Sequence, residues 1–301
     1  MSSELALRCT ACDAPLLVGD NFCEACGATV AGTPAARVTE RRVQLDLDVA
    51  AGVSEQGRSH LRNEDAFRLE RVGSDGIVAV VCDGISTSAS GDAAARAAAS
   101  AAADVLAAAL DSGDDLEAAT AAAVAAAEEA VMQVPATGHT ALALPSCTLV
   151  SAACRDGLLV VGWIGDSRAY WLGEASAAQL TVDDSWAAEQ VAEGLLSPEE
   201  AFADRRAHAI TRWVGADSPP DAPQVITLAP LGSGRLVLCT DGLWNAAPAA
   251  GDLAQLAESL DPDAAPGSVA HYLADVAIAR GTRDDVTVAV IDVNREEGTQ
   301  P

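Results

Sequence analysis

Two consecutive alanine-rich segments, residues 92–110 and 114–134, place the strongest constraint on the fold. Alanine has the highest helix propensity, and Leu106, Leu110 and Val124 contribute to an apolar stripe along the segments. This stripe argues against a disordered low-complexity insert. Gly113 stands near the break between the two segments. The sequence therefore predicts a pair of antiparallel helices.

Short runs rich in valine, leucine and isoleucine surround this helix pair and are typical of β-strands. Eight such runs occur, at residues 47–53, 66–71, 77–82, 147–153, 158–164, 168–172, 235–240 and 286–293. Further helical patterns occupy residues 185–193, 198–204, 251–260 and 267–279. The strands and helices arrive in blocks and not as strict strand–helix pairs. This order favours antiparallel sheets covered by helices, an α+β fold.

The charge of the chain excludes some classes of partner. Its 301 residues have a formal net charge of −26 and include no lysine, so no basic surface is expected for nucleic acid or a membrane. No uninterrupted apolar stretch reaches the roughly 20 residues that span a bilayer, and the first residues show no signal pattern. We therefore expect a cytoplasmic protein whose cysteines are thiols or metal ligands.

Four cysteines form two CxxC pairs, Cys9 with Cys12 and Cys23 with Cys26. Two such pairs place four thiolates around one tetrahedral cation, so the spacing predicts one structural zinc ion. A redox-active dithiol is the alternative, although a single CxxC pair would be enough for that chemistry. The remaining cysteines lie in apolar runs typical of buried small side chains: Cys82, Cys147, Cys154 and Cys239.

These patterns predict four parts of the chain: a zinc ribbon at residues 1–30, a linker at 31–46, the main domain at 47–294 and a tail at 295–301. The linker prediction rests on the glycine, the proline and the short charged cluster within a segment that has no clear period. Four cysteine ligands leave no open coordination position, so the zinc ion should fold the ribbon without doing chemistry. The partner that the ribbon binds is unknown.

Acidic residues recur at or near the ends of the predicted strands: Glu64, Asp65, Asp83, Asp166, Asp241, Asp284 and Asp285. A sheet whose loops meet at one edge would gather these carboxylates in a single cleft. Like charges at such short range raise each other's pKa values and resist burial. Hard divalent cations, which prefer oxygen ligands, relieve this repulsion. The pattern therefore predicts a metal centre.

The motifs that carry these acids resemble those of the metal-dependent protein phosphatase family, the type 2C serine/threonine phosphatases. The resemblance covers roughly residues 47–293, with the motifs in the family's order. It implies a four-layer α-β-β-α sandwich of two antiparallel sheets flanked by helices. It also implies hydrolysis of phosphoserine and phosphothreonine on proteins that a serine/threonine kinase has modified, with attack by a water that bridges two Mn²⁺ or Mg²⁺ ions.

The resemblance also implies a set of metal ligands: Asp83 bridging the two ions, Asp241 and Asp284 on one ion, and Glu64 with the Gly84 carbonyl on or near the other. Asp65 resembles the carboxylate that supports Glu64. Asp166 resembles a residue that helps to hold a third, weaker ion in bacterial members. Residues 180–215 resemble the family's flap, a segment near the cleft that is thought to influence substrate choice.

Three positions depart from the commonest family pattern. His60 stands where an arginine usually grips the substrate phosphate, so the candidates for that role are Arg58, Arg62 and His60 itself. Ser86-Thr87-Ser88 replaces the usual Gly-Gly-His, and water or metal-bound solvent would then have to protonate the leaving group. Asp285 replaces the usual asparagine. The catalytic candidates are thus Asp83, Asp241, His60, Arg58 and Arg62.

Two other functions remain open from the sequence. A pseudophosphatase would bind metal or phosphoprotein without turnover and would act as a scaffold that recruits partners through the zinc ribbon. Loss of metal ligands would favour that function, and none of the expected ligands is lost. The second alternative is a metal-dependent hydrolase of small phosphoesters. A phosphatase assay with a phosphothreonine peptide separates these possibilities.

Overall fold

The computed structural model describes residues 41–88, 90–136, 144–173, 176–219, 222–229, 232–261 and 263–293, and the strand backbone of 7–8 and 15–16. The chain divides into two compact units, Met1–Arg41 and Arg42–Pro301. In the first unit, β1 (Leu7–Arg8) pairs with β2 (Pro15–Leu16) in antiparallel orientation. The four cysteines of the predicted zinc ribbon and the predicted tail lie outside the described residues.

The second unit contains two large antiparallel sheets and their covering helices. Its elements are β3 (Arg42–Asp46), β4 (Ala50–Glu55), β5 (Asp65–Val72), β6 (Gly76–Asp83), α1 (Gly91–Ser112), α2 (Leu116–Met132), β7 (Ser146–Cys147), β8 (Leu149–Arg155), β9 (Leu158–Ile164), β10 (Arg168–Gly173), β11 (Ala177–Gln179), α3 (Trp186–Ala192), α4 (Pro198–Ala203), β12 (Val214–Gly215), β13 (Gln224–Leu228), β14 (Gly234–Cys239), α5 (Asp241–Trp244), α6 (Ala250–Glu258), α7 (Pro266–Ala279) and β15 (Val286–Val293).

The sheets form the two central layers of a sandwich. One sheet has the strand order β11-β10-β14-β15-β4-β3 and the other β13-β9-β8-β6-β5, with antiparallel pairing throughout. Side chains such as Val161, Leu238 and Ile291 fill the space between the sheets. Helices α1 and α2 cover the outer face of the five-stranded sheet, and α6 and α7 cover the six-stranded sheet. This arrangement confirms the predicted α-β-β-α architecture.

Helix α1 packs closely on its sheet because its buried face consists mostly of alanine. Ala94, Ala98 and Ala102 are fully buried, and α1 contacts β5 and β6. The helix ends at Gly113, whose φ of 76° suits a residue without a side chain. Among the described residues, α1 is the one helix whose length and composition would allow it to cross a membrane. Core helices of soluble proteins can have the same length and composition. Half of the apolar 18-residue stretch of α1 is buried in the fold.

The predicted linker is wrong at its C-terminal end. Arg42–Asp46 forms β3, an edge strand that pairs with β4 from Arg42 opposite Glu55 to Asp46 opposite Ala51. The sequence signal is weak because four of its five side chains are exposed, so no apolar run marks the strand. Arg42 also fixes the strand through ion pairs with Glu55 and Asp275 at 2.7 and 2.5 Å.

Candidate metal centre

The predicted metal ligands meet because the strands that carry them end at the same side of the sandwich. Asp65 opens β5 and lies directly opposite Asp83, the last residue of β6. In the other sheet, the start of β10, the end of β14 and the start of β15 lie side by side, since Cys239 pairs with Arg168 and with Val288. Asp166 and Asp284 lie in the loops at these ends, and Asp241 is the first residue of α5.

Hydrogen bonds to Asp65 join the two sheets at this point. The hydroxyl groups of Thr240 and Thr287 donate to Asp65 Oδ2 at 2.9 and 2.7 Å. Thr240 is the residue between β14 and α5, and Thr287 lies in β15. Asp65 is 7% exposed, and burial followed by the charge of Asp285 raises its pKa well above the ordinary value. Asp65 therefore links the two sheets beside the carboxylate cluster.

The carboxylates are close enough to perturb one another. Burial, followed by the charges of Asp65, Asp241, Asp166 and Asp284, raises the pKa of Asp83 well above the ordinary value. Burial and then the charge of Asp284 raise the pKa of Asp241 to about 7. Burial and then the charge of Asp241 raise the pKa of Asp166 to about 8. Without a counter-charge, this cluster resists ionisation at neutral pH.

Two buried carboxylate oxygens have no hydrogen-bond partner among the described residues: Glu64 Oε2 and Asp241 Oδ1. The other oxygen of Asp241 accepts a hydrogen bond of 3.1 Å from Asn245. A buried acceptor without a donor is costly, whereas a cation would satisfy it. The orphaned oxygens and the mutual repulsion of the carboxylates both fit a hard divalent cation with oxygen ligands.

Gly84 allows the backbone to approach this cluster closely. Its N–H donates to the Glu64 carbonyl at 3.1 Å. A Cβ atom at position 84 would lie 2.5 Å from the backbone of Gly91 and 2.7 Å from the Glu64 carbonyl oxygen. Any larger residue would therefore push apart the start of α1 and the loop that carries Glu64.

His60 lies within the cluster and is hydrogen-bonded to Asp285. Its Nδ1 is 2.9 Å from Asp285 Oδ2, and its Nε2 is 3.2 Å from Ser86 Oγ. Asp285 is 2% exposed and also accepts hydrogen bonds of 2.7 Å from the N–H groups of Gly57 and Glu64. Burial acts to lower the pKa of His60, but the hydrogen bond and charge of Asp285, with the charges of Asp284 and Glu64, outweigh it and raise the pKa.

The two neighbouring arginines lie at the surface. Arg62 is 57% exposed and faces Asp92 at 3.4 Å, at the start of α1. Arg58 is exposed on the loop between β4 and β5. Of the three candidates for gripping phosphate, the structure thus brings only His60 into the carboxylate cluster among the described residues.

The chain matches the model of the protein phosphatase 2C family over residues 54–276. The chain belongs to the protein phosphatase 2C family. It is 33% identical over 148 residues to the serine/threonine protein phosphatase PstP of Mycobacterium tuberculosis, a match that covers 48% of this chain and 27% of PstP. It is 29% identical over 147 residues to the serine/threonine phosphatase stp of Listeria innocua, which covers 49% of this chain and 56% of stp.

Solved structures of the protein phosphatase 2C fold superpose on this chain. The Ser-Thr phosphatase MsPP from Mycobacterium smegmatis, in complex with cacodylate, has a TM-score of 0.63 at 28% identity and covers 81% of this chain and 98% of its own. The catalytic domain of PstP in complex with 2 manganese ions has a TM-score of 0.61 at 24% identity, and the match covers 84% of this chain and 100% of the PstP domain. The second likeness shows the fold alone.

A buried ion pair supports the Asp166 loop in this protein phosphatase 2C domain. Arg168 donates two hydrogen bonds to Asp183, at 2.8 and 2.6 Å, and both side chains are 5% exposed. The guanidinium of Arg168 lies 3.7 Å above the ring of Trp244, whose Nε1 donates to the Asp166 carbonyl at 2.8 Å. Sequence reasoning missed this bracing, because nothing in the Gly165-Asp166-Ser167-Arg168 motif indicates which acid Arg168 contacts.

Proposed function

We propose that this chain is a metal-dependent serine/threonine protein phosphatase that hydrolyses phosphoserine and phosphothreonine on proteins. The observation that carries the proposal is the convergence of four aspartates, Asp83, Asp166, Asp241 and Asp284. Burial and the charges within this cluster raise the pKa values of Asp83, Asp166 and Asp241. Membership of the protein phosphatase 2C family and the names of its relatives PstP and stp support the same activity.

The family resemblance assigns the ligands within this cluster. Asp83, whose pKa is raised by four neighbouring acids, would be shared by two Mn²⁺ or Mg²⁺ ions, with Asp241 and Asp284 on one ion and Glu64 and the Gly84 carbonyl on or near the other. The unpartnered oxygens of Glu64 and Asp241 support this assignment. Asp166 is assigned to a third ion. The two manganese ions in the PstP structure support this number of main ions. When bound, such ions supply a water of lowered pKa for attack on phosphorus and offset the charge of the phosphoryl group.

Hydrogen bonds within the five-stranded sheet hold Asp83 in position. Asp83 is fixed on β6 because its N–H donates to Thr148 Oγ1 at 3.1 Å and its carbonyl accepts from the Thr148 N–H at 2.8 Å. An acidic cleft alone repels phosphate, so guanidinium groups at its entrance help to attract it. The candidates for this contact are Arg58 and Arg62, both exposed on the loop that leads to Glu64, and His60, which lies beside Asp284 and Asp285.

The N-terminal unit is proposed to be a zinc ribbon that recruits a partner. Cys9, Cys12, Cys23 and Cys26 would bind one structural zinc ion, and support comes from their spacing. The paired strands β1 and β2 also lie on either side of the first CxxC pair. We further infer that the phosphatase opposes a serine/threonine kinase in the cytoplasm.

A peptide assay tests the proposed activity. Purified protein with Mn²⁺ should release phosphate from a phosphothreonine peptide, whereas Asp83→Asn and Asp241→Asn should lower kcat/KM on the order of a hundredfold or more. Asp111→Asn, an exposed change in the last turn of α1, is the matched control and should keep full activity. Circular dichroism establishes that all variants fold.

The alternatives predict different results in the same assay. An inert parent protein that still binds Mn²⁺ would support the scaffold and contradict the phosphatase. Turnover of para-nitrophenyl phosphate without turnover of any phosphopeptide would support a hydrolase of small phosphoesters. Full activity of the Asp83→Asn protein would contradict the assignment of the metal site.

A further inference from the structure

Three side chains beside the carboxylate cluster form a hydrogen-bonded chain that the proposed metal ligands do not use. The exposed hydroxyl of Ser86 lies 3.2 Å from His60 Nε2, and His60 Nδ1 lies 2.9 Å from Asp285 Oδ2. The three residues come from separate segments: the loop after β6, the loop between β4 and β5, and the segment before β15. A hydroxyl, an imidazole and a buried carboxylate in this order have the arrangement of a nucleophile, its base and the group that orients the base.

Asp285 determines which nitrogen of the ring carries the proton. The Gly57 N–H donates to its Oδ1 and the Glu64 N–H donates to its Oδ2, both at 2.7 Å, so two backbone groups fix the carboxylate. An ionised carboxylate can only accept hydrogen bonds, so Nδ1 of His60 donates to it. In the neutral ring the lone pair then lies on Nε2, where it accepts the hydrogen bond of the Ser86 hydroxyl.

Backbone hydrogen bonds hold the serine and the histidine in place. The Ile85 N–H donates to the backbone of β7 at 3.1 Å, and the Ser88 N–H closes a turn onto the Ile85 carbonyl at 2.8 Å. On the other loop, Gln56 Nε2 donates to the His60 carbonyl at 2.8 Å. Ser86 and His60 are therefore presented to each other by supported segments, as a positioned nucleophile and base require.

We propose that Ser86 is a nucleophile that accepts the phosphoryl group of the substrate, with His60 as its base and Asp285 positioning the ring. The inference rests on the proposed phosphatase function and adds a covalent step to it. Ser86 Oγ attacks phosphorus and its proton passes to His60 Nε2. The bond from phosphorus to the substrate oxygen breaks, and His60 gives the proton to that oxygen.

A second displacement restores the serine. Water attacks the phosphorus of phosphorylated Ser86 and gives a proton to His60, the bond from phosphorus to Oγ breaks, and His60 returns the proton to Oγ. The products are inorganic phosphate and the original side chains, so no further reactant is needed. Phosphorylated Ser86 is itself a phosphoserine beside the proposed metal centre, and it therefore has the chemistry of the proposed substrates.

The surroundings of Ser86 suit a phosphoryl group. Arg58 and Arg62 stand two residues before and two residues after His60 on the same loop, and both are exposed. Guanidinium groups match the charge and the geometry of phosphate oxygens. His60 thus serves as the base, and the contact with the phosphate is left to the two arginines.

A fluorophosphonate probe tests the nucleophile without a phosphatase measurement, because such probes react covalently with activated serine hydroxyls. The full chain with Mn²⁺ is treated with an uncharged alkyl fluorophosphonate, and mass spectrometry locates the adduct. We expect labelling at Ser86, its loss in Ser86→Ala, and a rate lower by about a hundredfold or more in folded His60→Gln and Asp285→Asn. Ser59→Ala, which removes the exposed hydroxyl next to His60 in the sequence, is the matched control and should keep the rate.

The stereochemistry at phosphorus tests the covalent step during turnover. A peptide with a chiral, ¹⁸O-labelled thiophosphoryl group is hydrolysed in H₂¹⁷O. Two displacements give inorganic thiophosphate with retained configuration, which we expect, whereas a single attack by water inverts it. Inversion would overturn the proposal and leave the phosphatase function standing. An unlabelled Ser86, or labelling at an equal rate in folded His60→Gln, would also overturn it. A protein that hydrolyses no phosphopeptide would overturn both.

Discussion

A single buried ion pair holds the loop of Asp166 in place. Arg168 and Asp183 are both almost fully buried, and Arg168 also stacks on Trp244, which donates a hydrogen bond to the Asp166 backbone. Removing one member of such a pair leaves the other charge buried without a partner, which costs more than the pair itself contributes. Stability of the domain should therefore depend strongly on Arg168.

We expect Arg168→Met to lower the free energy of unfolding by roughly 3–5 kcal/mol, because Asp183 loses its only ion-pair partner among the described residues. Arg206→Met is the matched control. Arg206 pairs with Asp204 at 3.0 Å, but the two side chains are 56% and 28% exposed, so its loss should cost less than about 1 kcal/mol. Urea unfolding followed by circular dichroism measures both. Equal costs for the two variants would contradict the special role of the buried pair.

The contact between His60 and Asp285 shows what sequence reasoning leaves out at the residue scale. The clustering of the acids could be predicted because each acid follows or precedes a strand with a strong apolar signal. The His60–Asp285 hydrogen bond joins residues 225 positions apart, and neither local pattern reveals the other. The one available signal was that both positions depart from the family pattern.

At the scale of elements, strong periodic segments were predicted well, whereas three of the four edge strands of the two large sheets were not. The two alanine-rich helices were expected at 92–110 and 114–134 and occur at Gly91–Ser112 and Leu116–Met132. Strands β3, β11 and β13 were missed. They lie at the edges of their sheets, where side chains are largely exposed or only partly buried and no continuous apolar run forms.

Helix α1 offers a direct test of why alanine is so abundant. Ala102 is fully buried in the cluster between α1 and the five-stranded sheet. We expect Ala102→Leu to lower the free energy of unfolding by about 1–3 kcal/mol, because the added carbon atoms have no space. Ala108→Leu places the same side chain at an exposed position of the same helix and should change stability by less than about 0.5 kcal/mol. A neutral Ala102→Leu would show that the interface has room, contrary to this explanation.

At the scale of the whole molecule, the sandwich brings acids from both sheets to one side, where their repulsion opposes folding. The pKa of Asp241 is raised to about 7 and that of Asp166 to about 8, from an ordinary value of 3.8. At pH values between the ordinary pKa and the raised pKa, these carboxyl groups bind more protons in the folded protein than in the unfolded chain. The free energy of unfolding therefore falls as pH rises through this range. Cations that bind the ionised carboxylates should reverse this loss.

We therefore expect the melting temperature of the metal-free protein to decrease from pH 5 to pH 8, and the increase caused by Mn²⁺ to be larger at pH 8 than at pH 5. Differential scanning fluorimetry with a chelator or with Mn²⁺ measures both.

The net charge of −26 also destabilises the fold as pH rises, so variants must isolate the contribution of the carboxylate cluster. Asp241→Asn should flatten the metal-free profile, since it removes a group whose pKa is raised to about 7, while Asp111→Asn should leave the slope unchanged. An Mn²⁺ effect that shrinks toward pH 8 would mean that the ion does not bind these carboxylates.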